Sequence, residues 1–390
     1  MTLRYSEHLR LGRGHVGGVA AIAFSYLGTY IATAGLNDCM LYLWRIADGK
    51  LLHTIKCSTA ILCFEWLPNR EDILLFGTRG GVVCSVTLGP KVLCSRGFWA
   101  HAYPVEHLAM RGRYLVSGAS CEVVVWRMGP DGDWEHVKDL PLPPASSLNE
   151  DSEVLVTGIQ WVTSPKGKSL LVVTYMFHGV RIFDPKNWEP LRTIPLPGLL
   201  WAVTAFAFSS SSLMPLHLLV LRGNSDVSED GRRIVVSNMT CGFDMYDLIT
   251  QVSLRSFRHD ASDGIRAVPV SFAHGGHAIL GGSTVGKAKL WDADNGRVHQ
   301  TFSLGPREKI MSIATNYNPH NDCFLLAAGV VDGSQNARTT IWLARSGLRT
   351  RTWPRYLLRF IAGLAATLVA YSILYRGRMD HPAADALPVD

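Results

Sequence analysis

A twelve-residue shape recurs four times along the chain in a single register. The copies are WDADNGRVHQTF (Trp291–Phe302), WRIADGKLLHTI (Trp44–Ile55), FDPKNWEPLRTI (Phe183–Ile194) and YDLITQVSLRSF (Tyr246–Phe257). Each opens on an aromatic. The tenth residue is polar or charged (Gln300, His53, Arg192, Arg255), the eleventh carries a hydroxyl (Thr301, Thr54, Thr193, Ser256), and the twelfth is apolar (Phe302, Ile55, Ile194, Phe257). Alternation around a short polar turn is the pattern of a β-hairpin. Repetition of one hairpin restricts the chain to an architecture assembled from like units.

The opening aromatic also closes an apolar strand. LYLW ends at Trp44, VVVW at Trp126, AKLW at Trp291 and TIW at Trp342, with VRIF at Phe183 and DMY at Tyr246 as weaker forms. Val86, in VVCSV, holds the same place with the aromatic lost. The seven positions are spaced 42, 40, 57, 63, 45 and 51 residues apart. Two of these intervals are long. PLPPASSLNEDSE (Pro141–Glu153) reads as a Pro/Ser/acid linker, and removing its 13 residues leaves 44. SEDGRRIVVSN (Ser228–Asn238) reads as a tight turn and a strand that should follow directly on AFAFS. Residues 209–227 stand between them and read as a 19-residue insertion, whose removal also leaves 44. The ring is then expected to fold with 209–227 excised. The alternative makes LHLLVL, within that stretch, a strand of the fifth repeat. RGNSDVSEDGRR (Arg222–Arg233) reads as a solvent loop, with a docking loop as its alternative.

A period near 40–45 residues with four strands per unit is that of a β-propeller. With GH at Gly14–His15, WD at Trp291–Asp292, FD at Phe183–Asp184, YD at Tyr246–Asp247 and the turn EDGRR at Glu229–Arg233, residues 1–345 resemble the WD-repeat β-propeller family. The resemblance implies an all-β, seven-bladed propeller of four-stranded blades. It also implies a polar tetrad of loop His, strand Ser/Thr, turn Asp and Trp. The first repeat supplies all four types as His15, Thr33, Asp38 and Trp44. The other repeats lack the turn Asp in register and are expected to rely on apolar packing. The structural repeat aromatics are then Trp44, Trp126, Phe183, Tyr246, Trp291 and Trp342. The seventh repeat is one strand short, and TLRYSEHLRL at the N-terminus has nothing else to pair with. It is expected to close the ring as the fourth strand of the last blade, removing exposed edges.

Composition narrows the function classes. Of the net charge of +6, the stretch from Arg345 onward carries +4, so the ring is nearly neutral and no nucleic-acid face is predicted. Eight cysteines show no CxxC spacing and no zinc-ligand cluster, so they read as core thiols of a reducing compartment. The opening residues carry no apolar signal segment. There is no GxSxG elbow, P-loop or HExxH, so the chain reads as no enzyme, with no catalytic residues, cofactor or metal. His274 and His277 in AHGGH have a ligand-like spacing but no third ligand near them, and are expected in a solvated turn before AILGG.

The distinguishing feature lies beyond the ring. YLLRFIAGLAATLVAYSILY (356–375) is a 20-residue apolar run with one charge, Arg359. As a helix it would reach about 30 Å, the hydrocarbon thickness of a bilayer. Four organisational units follow: the propeller (1–345), a basic juxtamembrane linker (346–355), a transmembrane helix (356–375) and a short tail (376–390). Arg345, Arg349, Arg351 and Arg355 on the near side outnumber Arg376 and Arg378 on the far side, which predicts a cytosolic ring. The position of the run 15 residues before the last residue predicts tail-anchored, post-translational insertion. The endoplasmic reticulum or nuclear envelope is the expected membrane, with the mitochondrial outer membrane as the alternative. Such a chain reads as a membrane-anchored, non-catalytic scaffold binding other proteins through propeller loop faces. Two further functions stay open: a guanine-nucleotide exchange factor for a small GTPase of the early secretory pathway, and a ubiquitin-ligase substrate receptor.

Overall fold

The computed structural model describes residues 3–345 apart from 90–92, 146–151, 165, 196–223, 239–241, 260–267, 307, 333 and 335. The described chain forms seven four-stranded antiparallel sheets arranged as the blades of a propeller. The first strand, β1 (Ser6–Val16), belongs to the last blade. Blade one is β2 (Val19–Phe24), β3 (Tyr30–Gly35), β4 (Met40–Arg45) and β5 (Leu51–Lys56). Blade two is β6 (Ile61–Trp66), β7 (Ile73–Thr78), β8 (Val82–Thr87) and β9 (Leu93–Trp99). Blade three is β10 (His107–Arg111), β11 (Tyr114–Ala119), β12 (Glu122–Met128) and β13 (Trp134–Asp139). Blade four is β14 (Val156–Thr163), β15 (Ser169–Tyr175), β16 (Gly179–Asp184) and β17 (Glu189–Ile194). Blade five is β18 (Ser225–Val227), β19 (Arg233–Ser237), β20 (Gly242–Asp247) and β21 (Ser253–Arg258). Blade six is β22 (Val270–Ala273), β23 (Ala278–Gly281), β24 (Lys287–Asp292) and β25 (Val298–Ser303). Blade seven is β26 (Lys309–Asn318), β27 (Cys323–Val331) and β28 (Asn336–Arg345). β1 completes it, antiparallel to β28 from Ser6↔Leu343 to Val16↔Asn336. Ring closure by the N-terminal strand is therefore as the sequence led one to expect.

There is one hydrophobic core per blade interface rather than one for the ring. Leu41, Leu43, Ile61 and Leu74 join blades one and two. Val235, Phe243, Ile279 and Trp291 join blades five and six. Leu290, Phe302, Leu326 and Trp342 join six and seven. The repeat position fills these cores in order. Trp44 packs on blade seven, Val86 on blade one, Trp126 on blade two and Phe183 on blade three. Tyr246 packs on blade four, Trp291 on blade five and Trp342 on blade six. A blade cannot bury both faces alone, so each aromatic is placed by its neighbour.

The recurring hairpin has one geometry. In all four copies its eighth residue pairs with the opening aromatic, its ninth is bulged out, and its tenth pairs with the residue before the aromatic, as in Trp44↔Leu51 and Leu43↔His53. A bulge falls at the repeat position in the other three blades as well. The sixth residue takes positive φ whether it is Gly49 and Gly296 or Trp188 and Gln251. Its N–H donates to the carbonyl of the second residue at 2.7–2.9 Å. In three copies that second residue is the acid, and its carboxylate caps the turn: Asp184 accepts from Lys186 N–H, Asp247 from Ile249 and Asp292 from Asp294. The acid after the aromatic is a turn-former, because a short carboxylate reaches the backbone two residues on.

Blade five departs from the sequence reading. Its innermost strand is Ser225–Val227, paired with Ile234–Val236, so part of the supposed insertion is a blade strand. Excision of 209–227 would remove it. The same strand lies inside the stretch read as a solvent loop, Arg222–Arg233. Three residues with a single apolar side chain, Val227, carry too little apolar signal to be noticed, although the turn after them was recognised. The LHLLVL alternative lies outside the described residues. The linker at 141–153 does fall between strands, after β13 and before β14, and its described residues 141–145, 152 and 153 form no strand. The cysteines differ too. Among the six described free thiols only Cys323 is buried, and the other five are half-buried. No helix among the described residues is long and apolar enough to cross a membrane. The linker, helix and tail expected at 346–390, including Arg349, Arg351 and Arg355, lie outside the described residues. Arg345 is the last residue of β28.

Candidate functional site

The sequence-derived tetrad is assembled. Trp44 Nε1 donates to Thr33 Oγ1 at 3.1 Å, Thr33 Oγ1 lies 2.9 Å from His15 Nε2, and His15 Nδ1 lies 2.9 Å from Asp38 Oδ2. The chain of donors assigns the proton of neutral His15 to Nδ1. Burial holds His15 below its usual pKa, against the opposing pull of Asp38. A second tetrad, which sequence reading missed, stands in blade three. Trp126 Nε1 donates to Ser117 Oγ at 2.8 Å, Ser117 Oγ lies 2.7 Å from His101 Nε2, and His101 Nδ1 lies 2.8 Å from Glu122. Apolar packing alone is therefore not the rule outside blade one. The β11–β12 turn is tighter than β3–β4, and the longer Glu side chain spans the difference. Both networks brace strands, and the hollow beside the His15 network holds only about 10 Å³.

The inner strands carry a further polar device. Trp66 ends β6 and Trp161 lies two residues before the end of β14, and their indole N–H groups donate back to the preceding blade, to Ala23 O and Ala109 O. The residue before each reaches forward. Glu65 accepts from Met110 N–H at 3.1 Å, and Gln160 donates to Asp226 at 2.7 Å. Asp226 in turn accepts from Val227 N–H, Phe272 N–H and Ser271 Oγ. Thr315 Oγ1 donates to Phe272 O, and Asn316 Nδ2 donates to Ser25 O and Tyr26 O. These bonds stitch every adjacent pair of blades around the channel. The signal was a polar residue breaking the end of an apolar strand, as in CFEW and GIQW.

Two acids in this wall are pushed up by enclosure. Glu65 rises to about 8 and Asp226 to about 6, the latter despite four donors. Between its unfolded value of 4.5 and about 8, folded Glu65 holds a proton that the unfolded chain releases. Its contribution therefore falls as pH rises through that window and is lost above it. Glu65→Gln is expected to flatten the fall and raise stability at pH 8.5 by about 2–4 kcal/mol. Denaturant unfolding of both proteins at pH 5 and 8.5 reads this directly. Parallel pH profiles would remove Glu65 as the cause.

A hollow among the described residues is large enough for a ligand group. In the antiparallel course of each blade, the turns from first to second strand share a face with those from third to fourth. On that face, between blades five, six, seven and one, opens a hollow of about 560 Å³. One wall is a ladder of rings. Tyr5 Oη lies 2.5 Å from His274 Nε2. His274 stacks on Phe324 with centroids 4.6 Å apart, and Phe324 stacks on Tyr317 at 4.5 Å. Asp226, Thr315 and Asn316 form the floor, and Glu229 and Tyr26 stand at the rim. His274 is thus a packed wall residue, not the solvated turn residue expected, while His277 is exposed beside Asp294. Two glycines follow His274 and let the turn fold back, and His274 itself takes φ 56°. Burial, with His299 and His277 adding to it, lowers its pKa to about 4, so the ring is neutral near pH 7. No group of His, Cys, Asp and Glu among the described residues is placed to hold a metal ion.

Comparison with known proteins agrees with this architecture. Residues 6–45 match the family described as WD domain, G-beta repeat. The match runs from β1 to the end of β4, so the family's sequence unit begins one strand before the blade, and it contains the whole His15 tetrad. Ribosome biogenesis protein BOP1 homologs are similar over short stretches. That of Drosophila ananassae is 28% identical over 86 residues, 22% of this chain and 11% of the relative. That of Drosophila virilis is 29% identical over 80 residues, 20% of this chain and 10% of the relative. The similarity spans about a tenth of the length of these relatives.

Proposed function

We propose that this seven-bladed propeller is a non-catalytic docking platform for other proteins, held at a membrane by residues 356–375 with the ring in the cytosol. The observation that carries the docking role is the aromatic-lined hollow on an otherwise interlocked ring. Preformed concave sites with a few polar groups are where binding concentrates, and the stitched channel wall keeps this one open. The apolar run of 20 residues supports the membrane part, and the arginine-rich stretch before it supports the orientation. Endoplasmic reticulum or nuclear envelope is the proposed membrane. The similarity to ribosome biogenesis proteins covers about a fifth of the chain and supports the repeat type, not a shared process.

Proximity labelling tests the reading. A labelling enzyme is fused to the full chain and, as a control, to residues 346–390 alone. Neighbours specific to the full chain are expected. Identical neighbour sets would overturn the platform. Membranes washed with alkaline carbonate are expected to retain the full chain, and its release would overturn the anchor.

A further inference from the structure

We infer that the hollow between blades five, six, seven and one takes the guanidinium of an arginine presented by a partner protein. The inference rests on the docking reading above and supplies its chemistry. Among the described residues no lysine or arginine lines the hollow, whereas two carboxylates do, Asp226 and Glu229. Asp226 already accepts four hydrogen bonds, so it contributes negative potential from the floor and not a direct contact. Glu229 stands exposed at the rim and forms no ion pair with a described residue. Its carboxylate is the group free to meet a cation.

The ring ladder supplies the second half of the site. Tyr317 is the outermost rung, 46% exposed, and Tyr26 is 47% exposed. Tyr317 Oη donates to Asp322 at 3.2 Å, which fixes the ring in place. An aromatic face and a carboxylate lining one hollow suit a planar cation, which stacks on the ring while its N–H fork meets the acid. A compact, strongly hydrated ammonium gains less from such a surface. His274 carries no charge near pH 7, so the wall does not repel the ligand. The two loads are placed about the same mouth by different blades: Glu229 by the first turn of blade five, Tyr317 by the end of β26.

The test uses the full chain in mild detergent and two immobilised probes, Ac-Ala-Ala-Arg-Ala-Ala-NH2 and the same peptide with citrulline, which keeps the shape and loses the charge. The arginine peptide is expected to bind at least about tenfold more tightly, a difference of about 1.4 kcal/mol. Glu229→Gln and Tyr317→Ala are each expected to weaken it at least about threefold while leaving citrulline binding and the melting temperature unchanged. Both side chains are exposed, so the variants keep the fold. Equal binding of the two peptides, no detectable arginine binding, or indifference to Glu229→Gln overturns the assignment. The two failures are separable. Neighbours labelled equally by wild type and Glu229→Gln, with no arginine preference, remove the arginine assignment and leave the platform. A neighbour set no different from that of residues 346–390 alone removes both.

Discussion

Deletion of residues 1–11 is expected to destabilise the entire ring by about 5 kcal/mol or more. The truncation removes the pairing of Ser6 to Leu11 with Leu343 to Thr339. It also removes Tyr5 and Leu11, both buried. Burial of two such side chains is worth about 1.5–3 kcal/mol each, and the lost hydrogen bonds about 1 kcal/mol apiece. Tyr5 is held by an amide clamp, its N–H donating to Gln300 Oε1 at 3.0 Å and its carbonyl accepting from Gln300 Nε2 at 2.9 Å. That clamp ties the closing segment to blade six as well as blade seven. The truncated protein would also present the bare edge of β28, an invitation to edge-to-edge pairing. Thermal unfolding and gel filtration measure both effects. An unchanged melting temperature with a monodisperse profile would show that closure by β1 is dispensable.

Asp226→Ala should be the most damaging single substitution in the channel wall, at about 3–5 kcal/mol. One carboxylate serves donors from three blades: Gln160 of blade four, Val227 of blade five, and Ser271 and Phe272 of blade six. Alanine strands all of them at once. Asp226→Asn keeps the shape and one acceptor oxygen, so a smaller loss of about 1–2 kcal/mol is expected. Urea unfolding of the three proteins provides the comparison. Should alanine cost no more than asparagine, the bridging role falls.

The repeat was legible because its cause is local. The sixth residue of each hairpin must adopt positive φ, the acid must cap its own turn, and the aromatic must close a strand, so spacing and residue type carry the information. Seven aromatic or aromatic-equivalent positions gave the number of blades. The unpaired N-terminal strand and the three-stranded last repeat together gave closure. The His15 tetrad was readable because the first repeat supplies all four residue types in chain order, although its Thr33-to-Asp38 interval is one residue longer than usual in the family it resembles. His101, Ser117, Glu122 and Trp126 do the same work with a shorter turn and a longer acid, a substitution that only distance can reveal.

What the sequence by itself determined is thus the unit and its count: four strands, seven times, in a closed ring. The tertiary structure decided everything that depends on which blades are neighbours. Ser225–Val227 is a strand because β19 and the walls of blades four and six complete it, not because of its own propensity. Glu65, Gln160 and Asp226 became a ring of bridges only when adjacent inner strands came within hydrogen-bond distance. The hollow draws Tyr5, Glu229, His274 and Tyr317 from positions more than 300 residues apart in the chain. Local patterning fixes each blade through contacts a few residues away, whereas a site between blades is set by closure of the whole ring.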